Sequence, residues 1–451
     1  MQLPVWAKPL GYRQGGIKMP MFSPGIETLK ADAIRELQEE RFVKMVKYAY
    51  ERVPMYRERF RERNITPDDI KGLEDVPKVP FTYKNDLRDH YPYGILAVPV
   101  SEIVRFHSSS GTTGTPTVVS YTRKDMEIWI DLMARCLTSA GVTGEDIVQN
   151  TYGYGLFTGG LGYHYGAERL GCSVVPIGAG NTKRQLEIMK DFKTTVLCCT
   201  PSYATYLAEA AREAGIDPLQ DLSLKIAMFG AEPWSEEQRK HIEKNLNLKA
   251  MDCYGMSELY GPGVAVECEH QNGLHVWADE FYVETIDPET GDVLEPGEKG
   301  EMVITMLSRE AMPLLRYRTR DICMITWDEC QCGRSHPRIM RLAGRSDDML
   351  IVGGVNVFPS QIESVLFDIP GIAPQYQIIV DRDILDHLYV KVEMEPAMWE
   401  APDYDKDAFT RMVEENLRSV LMIRVRVKLL APGSIERTEG KAKRVIDLRK
   451  G

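Results

Sequence analysis

Apolar residues follow two spacings along the chain, and each spacing predicts a different element. Between residues 27 and 50 they recur at helical spacing among many charges, which predicts an amphipathic surface helix. From about residue 100, short apolar runs alternate with longer helical patterns. The runs predict buried strands at residues 103–106, 196–199, 226–229 and 250–253, and the patterns predict helices over 125–139, 203–214 and 235–245. Such alternation predicts an α/β fold with a largely parallel sheet flanked by helices.

The pattern changes near residue 273. Residues 275–285 and 301–306 alternate apolar with polar side chains, which predicts an antiparallel β region appended to the α/β core. Beyond residue 348 the spacing predicts a compact α+β module, with strands at 376–380 and 388–395 and a helix at 406–421. We therefore expect a large N-terminal domain over residues 1–345 and a small C-terminal domain over 346–451.

The chain has a net charge of −11 and no sustained patch of Lys and Arg. Duplex binders need a basic surface to displace counterions, so a nucleic acid is not an expected partner. No apolar run is long enough to span a membrane, and residues 1–18 lack the apolar core of a signal peptide. Most of the nine cysteines lie in apolar stretches, as reduced buried thiols do. These features predict a cytoplasmic protein without a membrane partner.

One segment rich in hydroxyl residues and glycine follows a predicted strand and precedes a predicted helix. Glycines let successive backbone N–H groups converge on one point, and hydroxyls add neutral donors, which is typical of a phosphate-binding loop. The segment lacks the ending of a P-loop NTPase, and a flexible linker is the alternative. It consists of Ser108, Ser109, Ser110, Gly111, Thr112, Thr113, Gly114 and Thr115.

Four further segments carry candidate chemistry, each with a plainer alternative. Aromatic and glycine residues over 152–162 suit the wall of a pocket for a flat apolar ligand, or ordinary core packing. Glu258 follows a buried strand, where it can hold Mg²⁺ or be a surface glutamate after a turn. Asp321 follows three arginines and can accept hydrogen bonds from a ribose, unless the segment is a solvated charged turn. The basic loop at 435–444 is solvated surface or contributes one mobile lysine.

The order of these motifs resembles the acyl-adenylate-forming superfamily of acyl-CoA synthetases, adenylation domains and luciferases, and within it the aryl-CoA ligases of the phenylacetate–CoA ligase type. The likeness rests on residues 109–116, 152–162, 229–234, 254–258, 261–264, 317–321, 344–363 and 440–447. It implies a two-step reaction. The acid's carboxylate attacks the α-phosphorus of MgATP, which gives an acyl-adenylate and pyrophosphate. The small C-terminal domain then rotates, and the thiolate of CoA displaces AMP.

The resemblance also implies roles for individual residues. Residues 108–115 would hold the β- and γ-phosphates, Ser257 would contact the α-phosphate region, and Glu258 would hold Mg²⁺. Asp321 and Arg345 would hold the ribose. The rest of the nucleotide would be framed by residues from two strand ends, namely Gly230, Ala231, Glu232, Asp252, Tyr254, Gly255 and Met256.

Two residues of the C-terminal region match mechanistic positions of the superfamily. Lys441 matches the lysine that bridges the carboxylate and the α-phosphate in the first step, and Asp347 falls at the hinge. One departure is Thr115, which stands where most members have a lysine. We expect weaker nucleotide affinity from it rather than inactivity.

The resemblance places the acid pocket at Tyr152, Phe157 and Gly230, with Tyr163 nearby. A ring against Phe157 and a glycine at the pocket floor suit a flat aryl acid. Phenylacetate, hydroxyphenyl, indolyl and benzoyl acids all remain open.

A structural zinc site is a separate hypothesis. Cys268, Cys330 and Cys332 with His275 offer three thiolates and one imidazole, the ligands of a closed tetrahedral site. His270 is a rival for the fourth ligand, and reduced cysteines without metal are the alternative.

Two other functions stay open at this point. The first alternative to a CoA ligase is an enzyme that loads a carrier-protein thiol after adenylation. The second is a silent regulator that binds AMP or an aryl acid. The presence of both Glu258 and Lys441 argues against a silent binder, which has no need of a lysine specific to the transfer step. Ligases of this type are often homodimers, so we expect a homodimer by analogy.

Overall fold

The structure, a computed structural model, describes residues 20–109, 116–342, 344–345, 350–352, 355–382, 386–402, 404–437, 442 and 444–450. Its α-helices are α1 Pro24–Glu27, α2 Ala31–Arg52, α3 Pro54–Glu62, α4 Lys84–Asp89, α5 Arg123–Ser139, α6 Thr158–Leu170, α7 Thr182–Asp191, α8 Pro201–Glu213, α9 Pro218–Asp221, α10 Glu236–Leu246, α11 Pro359–Asp368, α12 Pro396–Trp399 and α13 Lys406–Leu421. Its strands are β1 Arg105–Ser108, β2 Val118–Tyr121, β3 Ile147–Asn150, β4 Ser173–Val175, β5 Val196–Cys199, β6 Ile226–Phe229, β7 Lys249–Met256, β8 Gly261–Glu267, β9 Leu274–Val276, β10 Phe281–Ile286, β11 Lys299–Met306, β12 Tyr317–Thr326, β13 Arg338–Ile339, β14 Gly344–Arg345, β15 Leu350–Val352, β16 Val355–Val357, β17 Ile372–Arg382, β18 Asp386–Met394, β19 Val425–Leu430 and β20 Val445–Asp447.

One large sheet has a parallel half and an antiparallel half. In the first half β4, β3, β5, β6 and β7 run parallel in that order, with helices between successive strands along the chain. In the second half β8 turns back antiparallel to β7, and β9, β13, β12, β11 and β10 continue the antiparallel pairing. The predicted α/β core and the appended β region are therefore both confirmed.

The hairpin of β1 and β2 differs from the sequence prediction. The strand predicted at residues 103–106 is β1, which begins at Arg105 and pairs antiparallel with β2. The hydroxyl-rich segment therefore connects two strands of a hairpin, and the expected helix, α5, begins only after β2. Runs of four residues are too short for periodicity to separate a hairpin from a strand–helix connection.

The region around Trp277 also differs from the sequence prediction. Instead of one strand over residues 275–285, the structure has two strands, β9 and β10. A turn separates them, in which the N–H groups of Glu280 and Phe281 donate to the carbonyl of Trp277 at 2.9 and 3.0 Å. Trp277 is completely buried, so the turn lies in the interior. The apolar pattern therefore continues through the turn, and the sequence does not reveal where one strand ends and the next begins.

The C-terminal region has a sheet and an apolar core of its own. The sheet has the order β19-β18-β17-β20, and α13 has the predicted bounds. The side chain of Asp405 caps α13 by accepting a hydrogen bond from the N–H of Ala408 at 2.9 Å. The first residue of this core in the sequence is Leu350, and the core is distinct from the core of the large sheet. The strand β14 still belongs to the large sheet, because it pairs with β12. The boundary predicted after residue 345 lies between β14 and Leu350 in the sequence and stays a prediction.

Among the described residues, no helix combines the length and the apolar composition needed to cross a membrane.

Candidate active site

The carboxyl end of β6 lies beside the middle of β7, because the two strands pair in parallel up to Phe229 and Asp252 and β7 continues to Met256. Open α/β sheets bind ligands at this edge. Directly after β6, Ala231 has a φ of 73°, an uncommon value for a residue with a side chain. The segment 230–232 begins against β7, since a β-carbon on Gly230 would lie 2.5 Å from the carbonyl oxygen of Cys253.

Asp321 is the centre of a polar cluster beside this edge. The hydroxyl of Tyr254 donates to its Oδ2 at 2.5 Å, and Nη1 of Arg345 lies 3.3 Å from its Oδ1. Asp321 and Arg345 are direct partners across the β12–β14 pairing. Burial, and then the negative charge of Asp321, raise the pKa of Tyr254 well above its usual range, so its hydroxyl keeps the proton that it donates. The two residues predicted to hold the ribose thus form one contiguous group with Tyr254.

Two of the three arginines before Asp321 belong to the interior. Arg316 is buried, and its Nε donates to Glu284 at 2.9 Å. Arg318 donates to both carboxylate oxygens of Glu301, at 3.0 and 2.6 Å. The interpretation of this segment as a solvated charged turn is therefore wrong.

Glu258 has a neighbour that the sequence analysis missed. The carboxylate is 3% exposed, and Nζ of Lys84 lies 3.1 Å from its Oε1. The hydroxyl of Tyr317 is 3.4 Å from the same oxygen. Lys84 reaches this point because Thr82 pairs with Tyr317 on β12, which places the start of α4 beside the site. Glu258 is therefore not the surface glutamate of the plainer interpretation.

The side chain of Glu232, which was predicted to frame the nucleotide, accepts hydrogen bonds from two backbone N–H groups. Its Oε1 accepts the N–H of Ser202 at 2.6 Å, and its Oε2 accepts the N–H of Ala442 at 3.2 Å. Contacts of the segment 230–232 with a nucleotide would therefore come from its backbone.

The remaining predicted residues of β7 lie on or beside the same strand end. The N–H of Asp252 donates to Glu267 at 2.8 Å, and burial raises the pKa of the Asp252 carboxyl. A β-carbon at Gly255 would lie 2.0 Å from the carbonyl oxygen of Gly261, at a shift in the β7–β8 register, so this position requires glycine. Met256 and Ser257 are half-buried between Gly255 and Glu258.

The start of the hydroxyl-rich segment is fixed by hydrogen bonds. The N–H of Ser108 donates to the carbonyl of Leu156 at 3.0 Å, and the N–H of Ser109 donates to the carbonyl of Thr117 at 3.0 Å. Through Leu156, this segment adjoins the aromatic residues that follow β3.

The predicted acid-pocket residues form an aromatic cluster. Tyr152 and Tyr163 stack with ring centroids 5.4 Å apart and planes 4° apart, and Phe157 lies 6.1 Å from Tyr152. Both tyrosines are buried, whereas Phe157 is half-buried. The hydroxyl of Tyr152 donates to the carbonyl of Cys199 and also lies 3.4 Å from the carbonyl oxygen of Gly230. This contact connects the aromatic cluster to the turn that follows β6.

Gly230 has a packing reason to be glycine. A β-carbon there would lie 2.5 Å from the carbonyl oxygen of Cys253 on the neighbouring strand and 4.0 Å from the hydroxyl of Tyr152. The main restriction therefore comes from the backbone of β7.

A second cluster lies between β8 and the chain after β12. The potential ligand atoms of Cys268, His275, Cys330 and Cys332 lie within 4.8 Å of one another. The Sγ atoms of Cys268 and Cys330 are 3.6 Å apart, and Sγ of Cys332 is 3.3 Å from Nε2 of His275. The other ring nitrogen of His275 faces the carbonyl of His336 at 3.3 Å, which leaves Nε2 for a metal.

His270, the rival fourth ligand, is exposed and is not part of this cluster. Two thiolates bound to one tetrahedral zinc at 2.3 Å are about 3.8 Å apart, close to the observed sulfur separation. The four residues therefore fit the donor set and dimensions of a zinc site.

Several predicted residues lie outside the described part of the chain. They are Ser110, Gly111, Thr112, Thr113, Gly114, Thr115, Asp347 and Lys441.

Comparisons with known proteins identify the family of the chain. Residues 84–307 match the family described as AMP-binding enzyme, and residues 354–449 match the AMP-binding enzyme C-terminal domain. The phenylacetate–coenzyme A ligase of Thermus thermophilus is 47% identical over 445 residues, which cover 95% of this chain and 100% of that protein.

Crystal structures of 2-hydroxyisobutyryl-CoA ligase also resemble this chain. The postadenylation state in complex with 2-HIB-AMP gives a TM-score of 0.90 at 32% identity, covering 95% of this chain and 92% of that one. The thioesterification state, in complex with 2-HIB-AMP and CoA, gives a TM-score of 0.70 at 33% identity, covering 94% and 91%.

The fold and the matched families define an AMP-forming acid–CoA ligase, which works through an acyl-adenylate. Within that class, the chain belongs to the phenylacetate–coenzyme A ligase family.

Proposed function

We propose that the chain couples an aryl carboxylic acid to coenzyme A. The observation that carries the proposal is the contact between Tyr152 and Gly230, because it joins an aromatic cluster to the turn beside the nucleotide site. An acid whose ring packs against Phe157 would have its carboxylate directed towards the α-phosphate at that turn. The similarity to phenylacetate–coenzyme A ligases supports phenylacetate as the first acid to test.

The chemistry proceeds in two steps. A carboxylate oxygen attacks the α-phosphorus of ATP, a P–O bond forms, and pyrophosphate leaves. The sulfur of CoA then attacks the carbonyl carbon of the acyl-adenylate, a C–S bond forms, and AMP leaves. We assign the ribose to Asp321 and Arg345, which contact each other at 3.3 Å, and we assign to Lys441 the stabilisation of the charge that develops in the first step.

Magnesium belongs to the proposed site through Glu258. A Mg²⁺ ion bound there would supply positive charge to the phosphates of ATP. Lys84 already neutralises this buried carboxylate, so we assign it a second cationic contact with the phosphates. Such a contact would offset the absence of the lysine that Thr115 replaces.

Three features complete the proposal. Residues 1–345 and 346–451 are two domains that move relative to each other about Asp347. The Cys268, His275, Cys330 and Cys332 cluster holds a structural zinc ion that takes no part in the chemistry. The enzyme is a cytoplasmic homodimer, a state that light scattering on the purified protein would test.

The function is tested by incubating the protein with MgATP, CoA and a panel of aryl and fatty acids, with Lys441→Ala in parallel. We expect an aryl-CoA thioester by mass spectrometry, and its loss in the variant. AMP and pyrophosphate without a thioester would contradict CoA as the acceptor. Thioesters from fatty acids alone would contradict the aryl pocket.

A further inference from the structure

The two parts of the chain are joined by an arginine between two carboxylates. Nε of Arg437, in the C-terminal part, lies 3.0 Å from Oε2 of Glu209 on α8. Its Nη1 and Nη2 each lie 2.9 Å from an oxygen of Glu393, at the end of β18. One guanidinium therefore makes a bidentate pair within the C-terminal part and a single bond across to the N-terminal part.

The pair with Glu393 fixes the arginine inside the C-terminal part. The Glu393 side chain is completely buried, and it also accepts the N–H groups of Gly433 and Ile435 at 3.0 and 2.6 Å. Burial opposes ionisation of this carboxyl, but the hydrogen bonds from Arg437 and the two N–H groups outweigh it and lower its pKa. Arg437 is thus held in place whether or not Glu209 is present.

Glu209 lies on the other side of the junction. Its side chain is 13% exposed, and its Oε2 accepts the hydrogen bond from Nε of Arg437 at 3.0 Å. The charge of Glu209 is therefore largely buried, and the guanidinium compensates it only while the C-terminal part is docked on α8.

A second connection lies on the other side of residues 438–441. The N–H of Ala442 donates to Glu232, which also accepts the N–H of Ser202 at the start of α8. The contacts of Arg437 and Ala442 thus connect the chain before and after residues 438–441 to the N-terminal part, and Lys441 lies between them in the sequence.

The docked arrangement is that of the first step. The chain superposes on 2-hydroxyisobutyryl-CoA ligase with a TM-score of 0.90 in the postadenylation state and 0.70 in the thioesterification state. Since both are states of one enzyme, the contact between Arg437 and Glu209 belongs to an arrangement like the first of them.

We propose that Glu209 is a positioning residue for adenylate formation, which pairs with Arg437 to hold the C-terminal part on α8 and makes no contribution to thioester formation. The inference rests on the proposed two-step function. According to this inference, the ion pair between Glu209 and Arg437 determines how much of the protein adopts the docked arrangement and how much adopts the arrangement for thioester formation.

The test compares Glu209→Gln, which removes the charge and keeps the shape, with Glu213→Gln. Glu213 is an exposed residue one turn further along the same helix. The first step is measured as aryl-acid-dependent exchange of pyrophosphate into ATP. The second is measured as a single turnover of preformed aryl-adenylate with CoA. For Glu209→Gln we expect exchange to fall about tenfold, with the second step unchanged or faster, and for Glu213→Gln no change in either.

A second variant and a structural measurement complete the design. Arg437→Lys keeps the charge but cannot bridge both carboxylates, so it should slow exchange, and its effect should not add to that of Glu209→Gln. Small-angle X-ray scattering should show a larger radius of gyration for Glu209→Gln than for Glu213→Gln. Equal exchange in the two Gln variants, a parallel loss in both steps, or identical scattering would overturn the inference. If the proposed function is wrong, the wild-type protein itself will fail to exchange pyrophosphate into ATP, whichever aryl acid is added.

Discussion

The ammonium group of Lys84 lies 3.1 Å from the carboxylate of Glu258, which belongs to a distant segment of the chain. The pair is asymmetric, because the side chain of Glu258 is 2% exposed and that of Lys84 is 38% exposed. A buried anion is thus neutralised by a cation that retains access to solvent. Such a cation is free to turn towards a phosphate group when one arrives.

This arrangement predicts that Lys84→Met slows the first step. We expect kcat/KM for ATP to fall about 10- to 100-fold, since groups that stabilise developing charge contribute on that order. The measurement is acid-dependent pyrophosphate exchange, with Lys71→Met as the control, because Lys71 is exposed on the surface. An unchanged exchange rate in Lys84→Met would contradict a contact between Lys84 and the phosphates of ATP. Neutralising Glu258 would then be the only role of Lys84 in this proposal.

The Cys/His cluster predicts bound zinc. Protein purified without chelator should contain about one zinc ion per chain, the number for a single closed site of four ligands. Cys330→Ser should lose the metal and unfold at a lower temperature, while the aryl-CoA ligase activity of the folded fraction is retained. Cys172→Ser is the matched control, because Cys172 is buried elsewhere and donates to the carbonyl of Thr143. Metal analysis that finds zinc equally in both variants would contradict the assignment.

Gly230→Ala distinguishes packing from substrate contact. A β-carbon 2.5 Å from the carbonyl of Cys253 should lower the free energy of unfolding by about 1–3 kcal/mol, as overpacking does. Gly153→Ala is the control, since a β-carbon there meets no atom within 4 Å. The measurements are denaturant unfolding and KM for the acid. A raised KM with unchanged stability would show instead that Gly230 forms the pocket floor.

The buried pair of Arg135 and Asp279 predicts a pH dependence of stability. Two hydrogen bonds of 2.9 and 2.8 Å join the side chains. Burial opposes ionisation of Asp279, but the charge and hydrogen bonds of Arg135 outweigh it and lower the pKa. An acid whose pKa is lower in the folded state contributes stability above its unfolded pKa, about 3.9, and loses it as the pH falls through the folded value.

Asp279→Asn should therefore lower the free energy of unfolding by about 3–5 kcal/mol at pH 7, because Arg135 loses its partner in the interior. The difference from wild type should shrink as the pH falls below about 4. Asp68→Asn, at an exposed position, is the control for urea unfolding across the pH range. A difference that stays constant with pH would mean that the effect is not due to ionisation of Asp279.

The sequence was most informative where one pattern runs long enough to repeat. The helix α13 has the predicted bounds because its apolar residues recur over four turns and Asp405 caps its start. Short segments gave less, since the four residues of β1 do not reveal that β2 pairs with them. A solvated charged turn stayed open for Arg316 and Arg318 for a similar reason: local sequence does not show that Glu284 and Glu301 are their partners.

Within the site, local motifs located residues but not the contacts between distant segments. Tyr254, Asp321 and Arg345 were each identified, while their contact follows from the pairing of β12 with β14. Lys84 was missed because only the docking of Thr82 on Tyr317 brings it to Glu258. The choice between His270 and His275 was open because both have suitable spacing, and the structure places only His275 beside the cysteines.

The separation of the apolar cores has a consequence for protein engineering. No buried residue of the C-terminal core is shared with the core that holds Tyr152 and Tyr163, among the residues that the structure describes. Enlarging or reshaping the aromatic pocket therefore strains one core and leaves the packing of the other intact. A library of pocket variants can be screened for new acids on a constant C-terminal half, and a stabilising change made in that half should benefit every variant of the library equally.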